Sequence, residues 1–545
     1  MKLTNQLILL IFLIFTGVIE VIFFLNNVGG IDQIRHLSWV YFLSNSDHFL
    51  PVGFFYNYKT IYNDVGGFVY ELLRYSYKDV GHILNVVPIL ITYCLSFIFG
   101  LKPYLLNLTS IIFSTLSIFL SYRISLKFFD PNEIKQKKIF SILFILLFSV
   151  SYIFYFSSLG IHNISLFFFL LTVNYFLDIN NYENFKNNFN LSLLIALASY
   201  SHKINALLLP VPIILFILFS SGTKYQKIKS AVLLGINLTI FFLPILLLIY
   251  FSESTVDDNL NYAAIKFNFT DILINFKSWF YIHLKNIGYI NFIISCFSLI
   301  YFLFFRKKKN IDKIFILIFF HLFLSLFISG FLNYHIRTTL YSTFILLIIN
   351  FIFIVNLTKN NHKLAIIFLA ILFFSFSQQA YMIINTKNFF KKRPDIYNFY
   401  FKNIENIKFS SLNESIISIN KKIPKDGKII FYSNLSEDIY LVYSNRNLKN
   451  IKYKFLKPIK NLIYYQRNNQ LEKYLKKINY NKVALSNTYI LSITNFKLDI
   501  VDNFNELDKS KIFINNCQIL NKIIYENKIF ISGERKLFLH KISCN

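Results

Sequence analysis

Apolar runs of about twenty residues follow one another through the first two thirds of this chain, each long enough to cross roughly 30 Å of hydrocarbon as a helix. In lipid the backbone must satisfy its own hydrogen bonds, so such runs are expected as α-helices. They lie near 6–26, 104–125, 139–158, 164–178, 190–202, 205–221, 230–251, 289–305, 313–332, 338–357 and 364–384. With 55% hydrophobic and only 15% charged residues over 545 positions, the chain is too apolar for a soluble protein. Leu7–Leu25 is longer than a signal-peptide core and has no small-x-small site before Gly29-Gly30, so it reads as a retained first span, with Met1–Asn5 cytoplasmic.

The charge needs care. A formal +28 looks like a nucleic-acid binder, but the basic residues are scattered and no motif organises them; 65 Phe beside 15 Gly and 10 Pro suggests a codon bias that also supplies Lys as polar filler. Nucleic acid is therefore not an expected partner. The basic residues do inform topology. Lys127–Lys138, Lys224–Lys229 and Arg306–Lys309 are the most basic short connections, and such loops stay cytoplasmic. All three fall inside if Leu84–Leu101 is a juxtamembrane or re-entrant helix that does not cross, which leaves eleven spans. The cluster Lys387, Lys391, Lys392 and Arg393 then lies outside, as long C-terminal domains do largely regardless of charge.

The expected architecture is a polytopic α-helical membrane protein, with a transmembrane domain over 1–385 and an extracytoplasmic soluble domain over 386–545. A long outer loop over 27–103, a turn at 159–163, a loop at 252–288 and the turn Gly330–Arg337 share the tail's side. Within 252–288, Phe267–Leu284 is aromatic and amphipathic and reads as an interfacial helix. In the tail, Lys428-Ile-Ile-Phe-Tyr, Ile439-Tyr-Leu-Val-Tyr and Ile512-Phe-Ile read as β-rich runs, which gives an α/β or α+β domain. Cys94 and Cys296 sit in apolar runs as lipid- or core-facing thiols; Cys517 and Cys544 could pair in an oxidising compartment, which spacing leaves open.

Directly after the first span comes Gly29-Gly-Ile-Asp-Gln-Ile-Arg-His36. Asp32 stands within a turn of the membrane surface, where a carboxylate stays ionised and faces both water and lipid. Leu37, Val40, Tyr41 and Leu43 follow at helical spacing, so the stretch reads as an amphipathic helix on the membrane. Asp32 either caps that helix or serves a site. Lys203 lies within the apolar stretch Leu191–Ser220, where an ionisable group is costly and is by default a functional suspect, though it could instead snorkel to the headgroups.

A first span followed by an acidic residue that opens a long outer loop resembles the GT-C-type membrane glycosyltransferases that use lipid-linked sugars. The stretch His82-Ile-Leu-Asn-Val-Val-Pro-Ile-Leu, then Phe99-Gly100, then the small-residue-rich Asn107–Ser117 with Tyr122-Arg123, is similar to a conserved-order segment of that family. Leu197-Ala-Ser-Tyr-Ser-His-Lys203 resembles the place where these proteins carry Lys or His at a span end, and Tyr334-His-Ile-Arg337 resembles their outer Arg motif. The ordered set covers about 1–385 and points to the branch of protein O-mannosyltransferases and the aminoarabinose transferase of lipid A.

The resemblance implies an inverting transfer of a sugar from a polyprenyl-phosphate carrier to a lipid, glycan or protein acceptor, on the outer face of the cytoplasmic membrane. Asp32 is then the catalytic base, and Arg337, followed by Lys203 and His202, binds the donor phosphate. His162, Asn163, Asp64 and His82 are the auxiliary or acceptor-orienting candidates. Two departures bear on a metal. Gln33 stands where the family often has a second acid, and the turn Ser158-Leu-Gly-Ile-His-Asn163 carries none, so no two-carboxylate motif supports a divalent cation and no cofactor is assigned. Asp47, Asp64 and Asp79 are the acids that could substitute.

Three other readings use different features. A polysaccharide polymerase or ligase concentrates function in a large mid-chain outer loop, whereas here the long segments follow the first span and end the chain. A transporter shows repeats and midplane charges, and this sequence has no repeat and almost no charge within its runs. A non-catalytic anchor displaying the tail would leave glycans unchanged when Asp32 is neutralised.

Overall fold

The computed structural model describes residues 2–25, 86–127, 161–202, 205–219, 222–251, 269–304, 320–327, 335–357, 410–424, 428–431, 488–495, 517–531 and 534–544, with shorter pieces among 33–41, 363–375, 439–444 and 513–514 and at 313. These residues are mostly helical. The helices are α1 (Lys2–Phe24), α2 (Val86–Phe99), α3 (Leu105–Leu126), α4 (Ile161–Asp178), α5 (Phe185–Ser201) and α6 (Asn205–Leu208). They continue with α7 (Pro210–Phe219), α8 (Lys224–Phe251), α9 (Phe269–Ile287), α10 (Tyr289–Phe304), α11 (His335–Leu357) and α12 (Leu412–Lys422). The expected span at 139–158 lies outside the described residues.

Three stretches, Leu105–Leu126, Ile161–Asp178 and Lys224–Pro244, are long and apolar enough to cross a membrane; Leu9–Ile22, Val86–Phe99, Asn205–Phe219 and Tyr289–Tyr301 are shorter apolar helices. Val86–Phe99, with 14 residues, extends only about 21 Å, less than a hydrocarbon core. Outward faces are apolar: Ile11, Ile14, Val18 and Ile22 of α1 are exposed, as are Val232, Ile236, Ile240 and Leu243 of α8. These stripes recur every three or four residues and suit lipid. Cys94 and Cys296 are exposed on α2 and α10.

Local chemistry explains the helix ends. Thr223 and Gln226 bond reciprocally, hydroxyl to backbone N–H at 3.3 Å and amide oxygen to backbone N–H at 3.1 Å, a capping box that starts α8. Asn184 caps α5 by accepting from the Asn187 N–H. Pro210 opens α7, where its missing N–H costs no hydrogen bond. Along α3, the hydroxyls of Thr109, Ser117 and Ser121 return to carbonyls four residues back, so these buried side chains need no partner on another helix.

Interhelix bonds fix relative directions. α3 and α4 run parallel, with Asn163 on Ser110 near their starts and Lys127 on Asp178 at their ends. α1 runs against α3: Asn107 Nδ2 donates to Leu25 O and Ser114 Oγ donates to Glu20 Oε1 at 2.6 Å. α5 runs against α4, since Asn190 meets Tyr175 and His202 meets His162. α8 runs with α5, and α10 runs with α11, where Asn350 Nδ2 donates to Asn291 O and Tyr301 packs on Phe353. One core joins these helices. Within the first run Glu20 is fully buried in α1, a single acid that a window average of hydropathy conceals.

The tail forms a five-stranded mixed sheet of order β1-β2-β5-β4-β3, with β1 (Lys428–Phe431), β2 (Thr488–Asn495), β3 (Phe513–Ile514), β4 (Cys517–Phe530) and β5 (Glu534–Cys544). β1 and β2 are parallel; the other neighbours are antiparallel, and β4 is irregular between Ile523 and Tyr525. α12 lies against β4 and is capped by Ser411. Two of the three expected β runs are strands. The third, Ile439–Tyr443, is corrected: residues 439–440 and 442–443 are helical. Ile439, Tyr440, Val442 and Tyr443 are all buried, a helical spacing that alternation would forbid, and the segment lies on the crossover that parallel β1 and β2 require. Cys544 faces Ile519 in the register, diagonal to Cys517; diagonal neighbours lie about 7–8 Å apart, at the limit of disulfide reach.

A second core ties the tail to the bundle. Ile34, Leu37, Val40 and Tyr41 share it with Leu105, Ile161, Leu412, Ile416 and Tyr440. The segment after the first helix therefore packs with the start of α3, the start of α4 and the tail together.

Candidate functional site

The site builds up from the first turn of α4. Asn163 is wholly buried and donates through Nδ2 to Ser110 Oγ at 2.9 Å. His162 beside it is half-buried, its ring edge-on to His202 with centroids 5.0 Å apart. His202 stands there because α5 stops: its backbone is extended (φ −162°, ψ 121°) while its N–H still bonds Ala198 O. Asn205 then opens α6 and donates through Nδ2 to Ser165 Oγ at 2.9 Å and Ala198 O at 3.1 Å. Ser165 Oγ shares a 2.7 Å hydrogen bond with the hydroxyl of Tyr341 on α11. The Tyr341 ring lies 6.2 Å from His202 and 5.0 Å from Phe169.

One turn deeper the strip continues. Phe169 meets His321 at 5.3 Å. From α9, Trp279 Nε1 donates to Ser325 Oγ at 2.9 Å, and His283 Nδ1 lies 3.1 Å from Thr343 Oγ1. The amphipathic stretch expected over 267–284 is helical as α9, with its Trp279, His283 and Ile287 stripe buried while Leu273, Ile274, Phe280 and Tyr281 are exposed. The side-chain oxygens of Asn163 and Asn205 are buried without a hydrogen-bond partner, so the strip keeps unused acceptor capacity.

Electrostatics differ between the two ends of α4. α3 and α4 both begin at the His162 end, bringing the positive poles of two helix dipoles together, and Tyr341 in the second turn of α11 is bonded there. Tyr104 at the start of α3 makes no side-chain capping bond, which leaves N–H groups there without an intrahelical partner. At the other end Lys127 Nζ bonds Asn174 O at 2.6 Å and pairs with Asp178 at 2.7 Å. Lys313 Nζ bonds Ile179 O and lies 5.6–6.0 Å from the ring centroids of Phe176, Tyr182 and Phe216. Burial pushes the Lys127 ammonium below its usual range, against the opposing pull of Asp178.

Of the residues expected from sequence, the structure brings His162, Asn163 and His202 together. Arg337 lies in the first turn of α11, four residues before Tyr341. Asp32, Asp64, His82 and Lys203 lie outside the described residues. The neighbours Gln33 and Ile34 are helical, with Ile34 packed at this end. Tyr41 follows on that segment; burial first, and Tyr443 of the tail second, raise its phenol above the usual range and keep it neutral. Tyr341, Ser165, Asn205, His283 and His321 were not singled out from sequence. Their signal is faint: single polar residues inside apolar runs, visible only when periods are matched across helices. Among the described residues no three His, Cys, Asp or Glu side chains converge as a metal requires.

No protein-family model matches the chain, and no curated protein does.

Proposed function

We propose that this protein is an inverting glycosyltransferase that moves a sugar from a polyprenyl-phosphate carrier to a lipid, glycan or protein acceptor. In this reading the chain crosses the cytoplasmic membrane eleven times and works on its outer face, with the tail on that side. The observation that carries it is the convergence at the His162 end: the N-termini of α3 and α4, the His162–His202 pair, Tyr341 one turn after Arg337 on α11, and the segment that follows Asp32. A phosphate belongs where helix dipoles and basic side chains meet. The relative helix directions support the same arrangement, because the predicted alternation also runs α3 with α4, α5 against α4, α8 with α5 and α10 with α11.

Asp32 takes the proton of the acceptor hydroxyl. The acceptor oxygen bonds the anomeric carbon from the face opposite the phosphate, the carbon–oxygen bond to phosphate breaks, and polyprenyl phosphate leaves with the electron pair. Arg337, with Lys203 and His202, stabilises the charge that develops on that phosphate. His162 and Asn163 orient the acceptor by hydrogen bonding, and Asp64 and His82 of the long loop assist. Tyr41, buried in the core shared with the tail, keeps the Asp32 segment against the tail.

The test is to delete the gene and compare surface lipids, glycans and proteins by mass spectrometry, then complement with wild type and with Asp32→Asn. Loss of one sugar increment, restored by wild type only, is expected. Unaltered masses on deletion would sink the transferase reading.

A further inference from the structure

We propose that Tyr341 is a positioning residue: its hydroxyl, held by Ser165 and through it by Asn205, fixes the rotation of the first turns of α11 and thereby the place of Arg337. The inference rests on the reading above, in which Arg337 takes the donor phosphate.

A helix among apolar neighbours packs through small, similar contacts at many rotations, so directional hydrogen bonds set its angle. Side chains of α11 make such bonds to other helices: Tyr341 to Ser165, Thr343 to His283 and Asn350 to Asn291 and Ser298. Thr343 and Asn350 pin deeper turns. Position 341 is one turn after 337 on the same stripe, which makes its bond the one closest to Arg337 among those described. Tyr341 and Ser165 are both fully buried, and Ser165 is held from its other side by Asn205, whose own Nδ2 is anchored on Ala198 O. The chain therefore links α11 to α4 and to the bend where α5 ends at His202, the other phosphate candidate.

The lever arm is long. A guanidinium reaching about 8 Å from a helix axis moves about 1.4 Å when the helix turns by about 10°. Displacements near 1 Å are enough to cost roughly a hundredfold in a positioned site. Phe at 341 keeps the ring against His202 and Phe169 and removes only the bond.

The full-length protein in lipid nanodiscs is titrated with polyprenyl monophosphate, and with polyprenol, the same lipid without phosphate. Tyr341→Phe is expected to weaken the phosphate-bearing lipid roughly tenfold, to leave polyprenol binding unchanged and to keep the melting temperature within a few degrees. Ser165→Ala should do the same, and the double variant should be no weaker than either single one, because both break one chain. Arg337→Ala should lose the phosphate preference altogether. If Tyr341→Phe binds polyprenyl monophosphate like wild type, or weakens both lipids equally, Tyr341 does not position Arg337, while a loss in Arg337→Ala keeps the phosphate reading. If wild type shows no preference for the phosphate, or Arg337→Ala keeps that preference in full, both ideas fall.

Discussion

The two ends of α4 are built on opposite plans. At its C-terminus each strong group is matched: Lys127 sits on Asp178 and on Asn174 O, and Lys313 sits on Ile179 O within a ring of Phe176, Tyr182 and Phe216. At its N-terminus the described bonds join amides and hydroxyls, and Asn163 and Asn205 each keep a buried oxygen in reserve. Both ends hold polar residues among apolar helices, so polarity alone does not mark a site. Charge separates them. The Lys313 end closes the helix C-terminus with cations, as its dipole favours, although Asn174 Oδ1 there is also buried without a hydrogen-bond partner.

That contrast can be broken from either side. The largest effect is expected at the open end. Asp32→Asn should lower transfer by about a hundredfold to ten-thousandfold, the range of a lost general base, with normal thermal melting. If melting falls in step with activity, the open end is structural too. Next is the closed end: Lys313→Met should cost about 3 kcal/mol, because buried carbonyls lose their donor, and thermal melting in detergent measures it. Transfer per folded molecule should stay at the wild-type level, and a selective loss of rate would erase the distinction between the ends.

A smaller effect involves the tail that packs at the open end. Burial pushes His540 from its ordinary 6.5 down to about 4, with Ile490 and Ile523 as its cross-strand neighbours. Between those values the unfolded tail takes up a proton that the folded tail refuses, so stability is whole above about 6.5 and drains as pH falls toward 4. The loss reaches about 1.4 kcal/mol one unit below the upper value. His540→Leu should flatten this part of a melting-versus-pH curve. The smallest effect is expected from Asp178→Asn. Asp178 is 57% exposed, so its bond to Lys127 should contribute under about 1 kcal/mol and fade with salt.

Much of the helical frame could be read from the chain, because a twenty-residue apolar run has few alternatives in lipid. The helices over 105–126 and 161–178 begin and end within three residues of the runs expected at 104–125 and 164–178. Part of the site was legible for the same reason: His162, Asn163 and His202 stand at run ends, where a polar residue is conspicuous. Tyr341 and Ser165 were not legible. Each sits inside a run, and a hydroxyl there means nothing until the rotation of two helices brings 165 opposite 341. Ile439–Tyr443 failed for a related reason: its aromatic and β-branched residues favour a strand locally, while the crossover between β1 and β2 imposes a helix. Glu20 escaped because averaging hides a lone acid, and its partner Ser114 lies on another helix.

The joint core of Ile34, Leu37, Val40 and Tyr41 with the tail has a consequence for biosynthesis. Those residues leave the ribosome early, whereas Leu412 and Tyr440, which complete their packing, follow about 380 residues later, or roughly 20–80 s at common translation rates. Throughout that interval only the bundle residues of that core, Leu105 and Ile161 among them, can cover the segment, and the bilayer surface is the nearest substitute for the missing tail. A nascent chain stalled before the tail emerges should leave this stretch embedded among headgroups, open to a lipid-phase label that the finished protein excludes.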